Sequence, residues 1–273
     1  CEIDLLMMIK RYGSIEGSSL LPEQIVKEGV QSNISVRCLG GFSVSVGGEP
    51  IDLLRVKPRA RTALRLLGMY GGRPVHRETL IEALWPFGSE EAGTRSLHVA
   101  ISSLRQLLEP GVPRGTSSFL VREGDAYRLA IPEAGESDVL AFEEALVRGR
   151  ASRAIQDYED AITSFEKALE LYSGDLLPED GPVEWVITPR ERYRSEATEA
   201  AQLLAEMNLE LDRPETAIVA SERGLRIDRF RDELWRLAFN AYERAGDQAS
   251  AARARREYAS VLRELGVAPV LGA

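Results

Sequence analysis

The amino-acid sequence predicts a mainly α protein with a small β part, built as two successive modules. Three observations carry that expectation. Residues 34–54 alternate apolar and polar side chains in short runs separated by Gly-Gly pairs. Residues 57–108 hold three short helical patterns, and two β-prone runs follow them. Residues 132–273 are helical in pattern almost throughout and repeat with a spacing of 34 residues.

The totals agree with a two-part soluble chain. A length of 273 residues suits about two domains. Its 44% hydrophobic and 28% charged content is that of an ordinary globular protein. The net charge of −9 is unevenly spread. Residues 34–131 contain 13 basic and 9 acidic side chains, residues 132–273 contain 18 and 29, and residues 1–33 contain 3 and 5. A mildly basic middle beside an acidic remainder fits a nucleic-acid-reading module joined to a protein-binding one.

Several classes of function are disfavoured. Two cysteines, Cys1 and Cys38, give neither a disulfide framework nor metal-ligand spacing. With only His76 and His98 beside them, a zinc site is not expected. Low cysteine usage points to a reducing cytoplasm. No run of eighteen apolar residues exists, so no membrane span is expected. The start has no signal-peptide pattern and no initiator Met, which suggests a segment of a longer chain. No G-x-x-x-x-G-K-[ST], G-x-S-x-G, H-E-x-x-H or C-x-x-C occurs. The abundant carboxylates sit at helix-surface spacing among Arg and Ala, as solvated faces do. The expectation is therefore a non-enzyme without a cofactor.

In chain order, residues 1–33 read as a linker or the end of an upstream region, with short helical stretches at Ile3–Tyr12 and Pro22–Glu28. I-S-V-R-C-L and F-S-V-S-V, with a turn at Gly47-Gly48 before Pro50, predict a small antiparallel sheet of two to four strands. Lys57–Tyr70 reads as a helix ended by Gly71-Gly72, and Arg77–Leu84 as a second helix closed by Trp85-Pro86. Pro86–Gly93, rich in Gly, Ser and Glu, reads as a loop. Thr94–Leu108 is a third helix, stopped by Pro110-Gly111. F-L-V-R, E-G-D and A-Y-R-L-A-I then read as a hairpin.

The third helix organises the functional expectation. Leu97, Ile101, Leu104 and Leu108 form one apolar stripe at spacings of four, three and four. The opposite face carries Arg95, His98, Val99, Ser102, Ser103, Arg105 and Gln106, and no Asp or Glu lies between Thr94 and Leu108. Such a helix can lie in a major groove without repelling phosphate. An ordinary amphipathic surface helix has the same pattern. In the DNA-reading alternative, Arg95 reaches a phosphate, aided by the helix N-terminus. Val99 meets a thymine methyl, Ser102 and Ser103 lie on the open meridian, and Arg105 meets the opposite backbone. Arg122 and Arg128 on the hairpin, and Arg59 within the basic run Arg55, Lys57, Arg59, Arg61, are further phosphate candidates; solvated arginines are the competing reading.

The order sheet, helix, helix, loop, helix, hairpin is the layout of a winged helix-turn-helix with an N-terminal sheet and a C-terminal wing. Residues 34–131 resemble the OmpR-type winged-helix domains and, more narrowly, the Streptomyces antibiotic regulatory protein family. The residues behind the resemblance are L-G-G-F-S-V-S-V-G-G-E-P-I-D-L, H-R-E-T-L-I-E-A-L-W-P, S-L-H-V-A-I-S-S-L-R-Q-L-L and A-Y-R-L. The resemblance supports Arg95, Val99, Ser103 and Arg105 as DNA-facing. It also marks a departure, because relatives usually carry Arg where this chain has Ser103, and often where it has Gln106. Losing one bidentate guanidinium removes about 1–3 kcal/mol of base discrimination. By the same resemblance, the 86–93 loop, with Phe87 and Glu90, contacts RNA polymerase.

Residues 132–273 read as helices at Asp138–Arg150, Ala154–Tyr172, Glu191–Leu211, Pro214–Ile227, Asp232–Ala245 and Gln248–Leu265. Ala217 to Ala251 and Leu203 to Leu237 are each 34 residues apart. That period, with small residues where helices approach, is the tetratricopeptide signature, although a generic helical bundle remains open. Y-S-G-D-L-L-P-E-D-G-P-V-E-W-V, then Arg190–Tyr193 and R-E-L-G-V-A-P, resemble the bacterial transcriptional activator domain, which follows the winged helix in the same family. The resemblance implies a transcriptional activator that binds double-stranded DNA at tandem repeats as a homodimer, recruits RNA polymerase, and follows an upstream sensory region. The competing expectation is a tetratricopeptide scaffold whose winged helix no longer binds DNA.

Overall fold

The computed structural model describes residues 33–113 and 115–267. The expectations for residues 1–32 lie outside it. β1 (Ile34–Arg37) pairs antiparallel with β2 (Ser43–Val46), which pairs with β3 (Glu49–Pro50). Ile34, Val36 and Val44 point into the core, as the alternation requires. A short 3-10 turn at Leu53–Arg55 leads to α1 (Pro58–Met69), whose first helical residue is the proline. α1 buries Ala60, Ala63, Leu64 and Leu67. Gly71 and Gly72 then take φ of +56° and +84°, which L side chains resist.

β4 (Val75–His76) and α2 (Arg77–Leu84) follow. α3 spans Glu90–Leu108, and Leu97, Ile101, Leu104 and Leu108 are all buried. β5 (Leu120–Glu123) and β6 (Ala126–Leu129) form the wing. Their two-residue turn has Gly124 at φ +60°. β4 adds to β6, so the wing is an edge of a three-stranded sheet.

β7 (Glu136–Ser137) returns to the first sheet and lies parallel to β1, giving the order β3-β2-β1-β7. It runs straight into α4 (Asp138–Ala154), followed by α5 (Tyr158–Leu171), α6 (Glu184–Glu210), α7 (Pro214–Ile227), α8 (Asp232–Arg244) and α9 (Gln248–Glu264). Two boundaries correct the sequence expectation. The stretch expected as one helix from Ala154 is interrupted, because Gln156 takes a left-handed φ of +63° and Asp157 caps a new helix. The helix expected from Glu191 starts at Glu184, with Pro189 inside it.

The turns at the ends of α6 and α8 repeat the 34-residue period, from Asp212 to Gly246. Gln156, Asp212 and Gly246 occupy the same left-handed position at the ends of α4, α6 and α8. In each turn the next residue donates its N–H five residues back, from Asp157 to Ser152, Arg213 to Asn208 and Asp247 to Tyr242. Small residues sit where partner helices touch. A Cβ at Gly224 would lie 2.5 Å from Leu234, and one at Gly149 would lie 2.9 Å from Phe165.

The winged-helix and helical segments share one core running from Ile34 to Ala220. Asp138, at the start of α4, accepts N–H bonds from Cys38 (2.8 and 2.9 Å), Leu39 (2.8 Å) and Val139 (2.8 Å). Burial pushes its carboxyl above the ordinary value, and the backbone N–H groups pull it back only in part. The segment after α5 closes over the same strand end. Gly40 donates to Asp175 O (3.0 Å), Leu177 donates to Cys38 O (2.9 Å), and Ser173 Oγ donates to Leu39 O (2.6 Å). Arg65 grips Asp180 with two bonds of 2.6 and 2.7 Å. Arg190 holds the segment from behind through the carbonyls of Leu176, Leu177 and Gly181.

Candidate nucleic-acid interface

α3 is anchored through its leucine stripe, so its other face is set by helical geometry. Arg95, His98, Ser102 and Gln106 are exposed, Val99 is 59% exposed and Ser103 is half-buried. An exposed valine among polar groups offers apolar contact without a partner inside the fold. Ser103 Oγ donates back to Val99 O at 3.1 Å and has no link to another element.

The other candidates are engaged. Arg105 is half-buried, and its Nε donates to Leu120 O at 3.0 Å, tying α3 to the wing. Arg59 donates from Nη1 to Leu84 O and closes the C-terminal end of α2. Arg122 donates from Nε to Gly124 O (2.8 Å) and lies 3.8 Å from Asp125. Arg128 pairs with Glu123. The wing arginines are thus matched by wing acids, and each keeps part of its guanidinium toward solvent.

The start of α3 corrects one expectation. Residues 90–93 belong to the helix, which Ser89 caps by accepting the N–H of Ala92 at 3.3 Å. Glu90 is therefore the first residue of α3 and not part of a loop. This helical position is a glycine because a Cβ at Gly93 would strike Ile81, 2.5 Å away. With Glu90 and Glu91 in its first turn, the N-terminus of α3 is already matched by acids and is no anion seat. Arg95 stands on the second turn. The connection that remains is short, and Phe87 at its tip is fully exposed.

Two clefts flank the open face. One, of about 580 Å³, runs between α3 and the start of α1. Pro58, Ala60, Trp85 and Ala100 make its wall, and Lys57, Arg59 and Arg95 line it. The first turn of α1 holds no acid, and no side chain caps it. The other, of about 330 Å³, runs between His98, Ser102 and Gln106 and the 112–117 loop. Glu109 fixes that loop by accepting from Ser118 N (3.0 Å), Phe119 N (3.2 Å) and Ser118 Oγ (2.5 Å). Partial burial pushes its carboxyl up, but the bonds from Ser117, Ser118 and Phe119 outweigh that and hold it below the ordinary value. Among the described residues, none of the helical segment lines either cleft.

Sequence reasoning missed Trp85 and Glu109 as parts of this face. Trp85 reads as a helix stop, and Glu109 signals itself only by two serines eight and nine residues later. Among the described residues no group of three or more His, Cys, Asp or Glu could hold a metal. No described helix is long and apolar enough to cross a membrane.

An N-terminal sheet, three helices and a wing, carried on stacked helix hairpins, define a winged helix-turn-helix protein with a tetratricopeptide-like partner module. Two family profiles match in the same order: Transcriptional regulatory protein, C terminal, over residues 49–129, and Bacterial transcriptional activator domain over residues 137–271. The chain joins these two modules in the order in which the Streptomyces antibiotic regulatory protein family carries them. It is 27% identical over 242 residues to the transcriptional regulatory protein MoaR1 of Mycobacterium tuberculosis, covering 88% of this chain and 75% of the relative. It is 26% identical over 242 residues to the transcriptional regulatory protein EmbR of the same organism, covering 88% of this chain and 61% of EmbR. A solved structure of Mycobacterium tuberculosis EmbR with a low-affinity phosphopeptide has the same fold, with a TM-score of 0.70 and 24% identity over 88% of this chain and 63% of that one.

Proposed function

We propose that the chain is a sequence-specific DNA-binding transcriptional activator of the bacterial cytoplasm, with residues 34–131 as the DNA-reading module and residues 132–273 as the activator module. The observation that carries this reading is the open face of α3, where Arg95, Val99 and Ser102 are exposed and the acidic helical segment leaves them uncovered. Arg95 and Lys57 take phosphates along the cleft wall, Val99 takes a thymine methyl, and Ser102 and Ser103 take base edges or backbone. Arg59, Arg105, Arg122 and Arg128 act with whatever part of their guanidinium is left over, and so hold the backbone less tightly. Because Ser103 stands where an arginine is usual in the family, a single module binds weakly. A homodimer arranged head to tail on tandem direct repeats supplies the missing affinity, and an upstream sensory region controls it.

A salt-titrated mobility-shift assay on pooled duplexes tests the reading. About three phosphate contacts give a log–log slope near −2.7, since each neutralised phosphate contributes about −0.9. A slope near zero would overturn it in favour of a protein-binding scaffold.

The polymerase contact is placed at Phe87, with Glu90 beside it on the first turn of α3. A fully exposed phenylalanine on a short connection contributes nothing to the core, so Phe87→Ser leaves folding unchanged. Transcription from a target promoter in vitro is expected to fall to the unactivated level while duplex affinity stays within twofold. Joint loss of both properties would remove the polymerase role from this residue.

A further inference from the structure

The last three helices enclose a cleft that the DNA-binding reading does not use. Its volume is about 580 Å³, within the range of small-molecule sites. One face of α8 makes the floor: Trp235, Ala238 and Tyr242, at spacings of three and four, are all buried and all line the cleft. Leu225 of α7 and Ala254 and Val261 of α9 complete an apolar wall. The polar atoms of the floor are already committed. Trp235 Nε1 donates to Arg229 O at 2.9 Å, and the Tyr242 hydroxyl donates to Glu222 at 2.5 Å. Burial and that bond push the Tyr242 hydroxyl up to about 12, so it stays neutral.

The rim is different. Arg226 of α7 and Arg253 of α9 both line the cleft and both are exposed. Arg226 reaches Glu222 only at 3.9 Å, and Glu222 is already taken by Tyr242. Arg253 donates to Ser250 Oγ at 3.1 Å and, among the described residues, has no carboxylate within ion-pair distance. Two under-paired guanidiniums over an aromatic floor match a ligand with a charged head and an apolar body. We propose that this cleft binds a small amphipathic anion, with the head held by Arg226 and Arg253 and the body laid on Trp235 and Tyr242.

The probe is 8-anilinonaphthalene-1-sulfonate, titrated against the full chain and followed by its own fluorescence and by transfer from tryptophan. Its uncharged relative N-phenyl-1-naphthylamine serves as the comparison. A single saturable site is expected, with the uncharged probe at least tenfold weaker. The pair Arg226→Ala and Arg253→Ala is expected to weaken the anionic probe tenfold or more, with Arg253→Lys recovering part of the loss. The pair Lys57→Ala and Arg95→Ala, at the cleft beside α3, leaves the probe within twofold. Should the double alanine variant lose its near-ultraviolet dichroism, Ser260→Trp fills the cleft from its exposed rim instead, and it too must abolish binding. Equal affinity for both probes, or binding unchanged by Arg226→Ala with Arg253→Ala or by Ser260→Trp, overturns the proposal.

Discussion

Asp138→Ala is expected to lower the stability of the fold by about 3–5 kcal/mol, among the largest single effects available in this chain. The carboxylate accepts from the backbone N–H groups of Cys38, Leu39 and Val139, at the junction between the first sheet and α4. Bonds to a charged acceptor contribute roughly 1.5–3 kcal/mol each, and a buried N–H left without a partner costs about 1–3 kcal/mol. Cys38 is fully buried and Leu39 nearly so, so water cannot replace the lost acceptor without opening the junction. Asp138→Asn keeps one oxygen and is expected to lose about half as much. Urea unfolding followed by far-ultraviolet dichroism measures both. A loss below about 1 kcal/mol for the alanine variant would mean that the carboxylate does not hold the junction.

Arg95→Glu combined with Val99→Asp is expected to weaken duplex binding by about a hundredfold, because single base or phosphate contacts carry roughly 1–3 kcal/mol. Both side chains are exposed on α3 and neither anchors another element, so the thermal midpoint should move by no more than about 2 °C. The converse substitution is informative. Ser103 bonds only to Val99 O within its own helix and lines the cleft between α3 and α1, so the longer side chain of Ser103→Arg extends along that cleft. It is expected to tighten binding by about tenfold, the low end of what a bidentate guanidinium contributes. Fluorescence anisotropy on selected duplexes reads both directions. Unchanged affinity in the double variant would place the nucleic-acid contact elsewhere or nowhere on this chain.

Elements whose signals are local were legible in the sequence. α2 and α7 occupy the expected residues, and the leucine stripe of α3 is buried throughout. The start of α3 was not legible, because Ser89, Glu90, Gly93 and the glycine before them have the composition of a loop. Only the approach of Ile81 explains a glycine inside the helix. β7 was invisible for another reason: two residues carry no alternation, and their pairing partner lies about a hundred positions upstream. The intramolecular bonds of two arginines were hidden for the same reason. Guanidiniums at Arg59 and Arg105 read as free cations until their acceptors, the backbone carbonyls of Leu84 and Leu120, are placed beside them. Nothing in composition marks a carbonyl as available. The open positions, Arg95, Val99 and Ser102, followed from helical periodicity alone, because nothing else in the fold competes for them.

The parallel partner that β1 receives from beyond the wing sets a limit on dissection. A fragment ending at residue 131 would carry every DNA contact proposed above yet leave β1 with a bare hydrogen-bonding margin, and with it the N–H groups that Asp138 now satisfies. Unpaired margins of this kind recruit strands from neighbouring molecules. The isolated module is therefore expected to self-associate, because β7 and the start of α4 are what cover that margin in the intact chain.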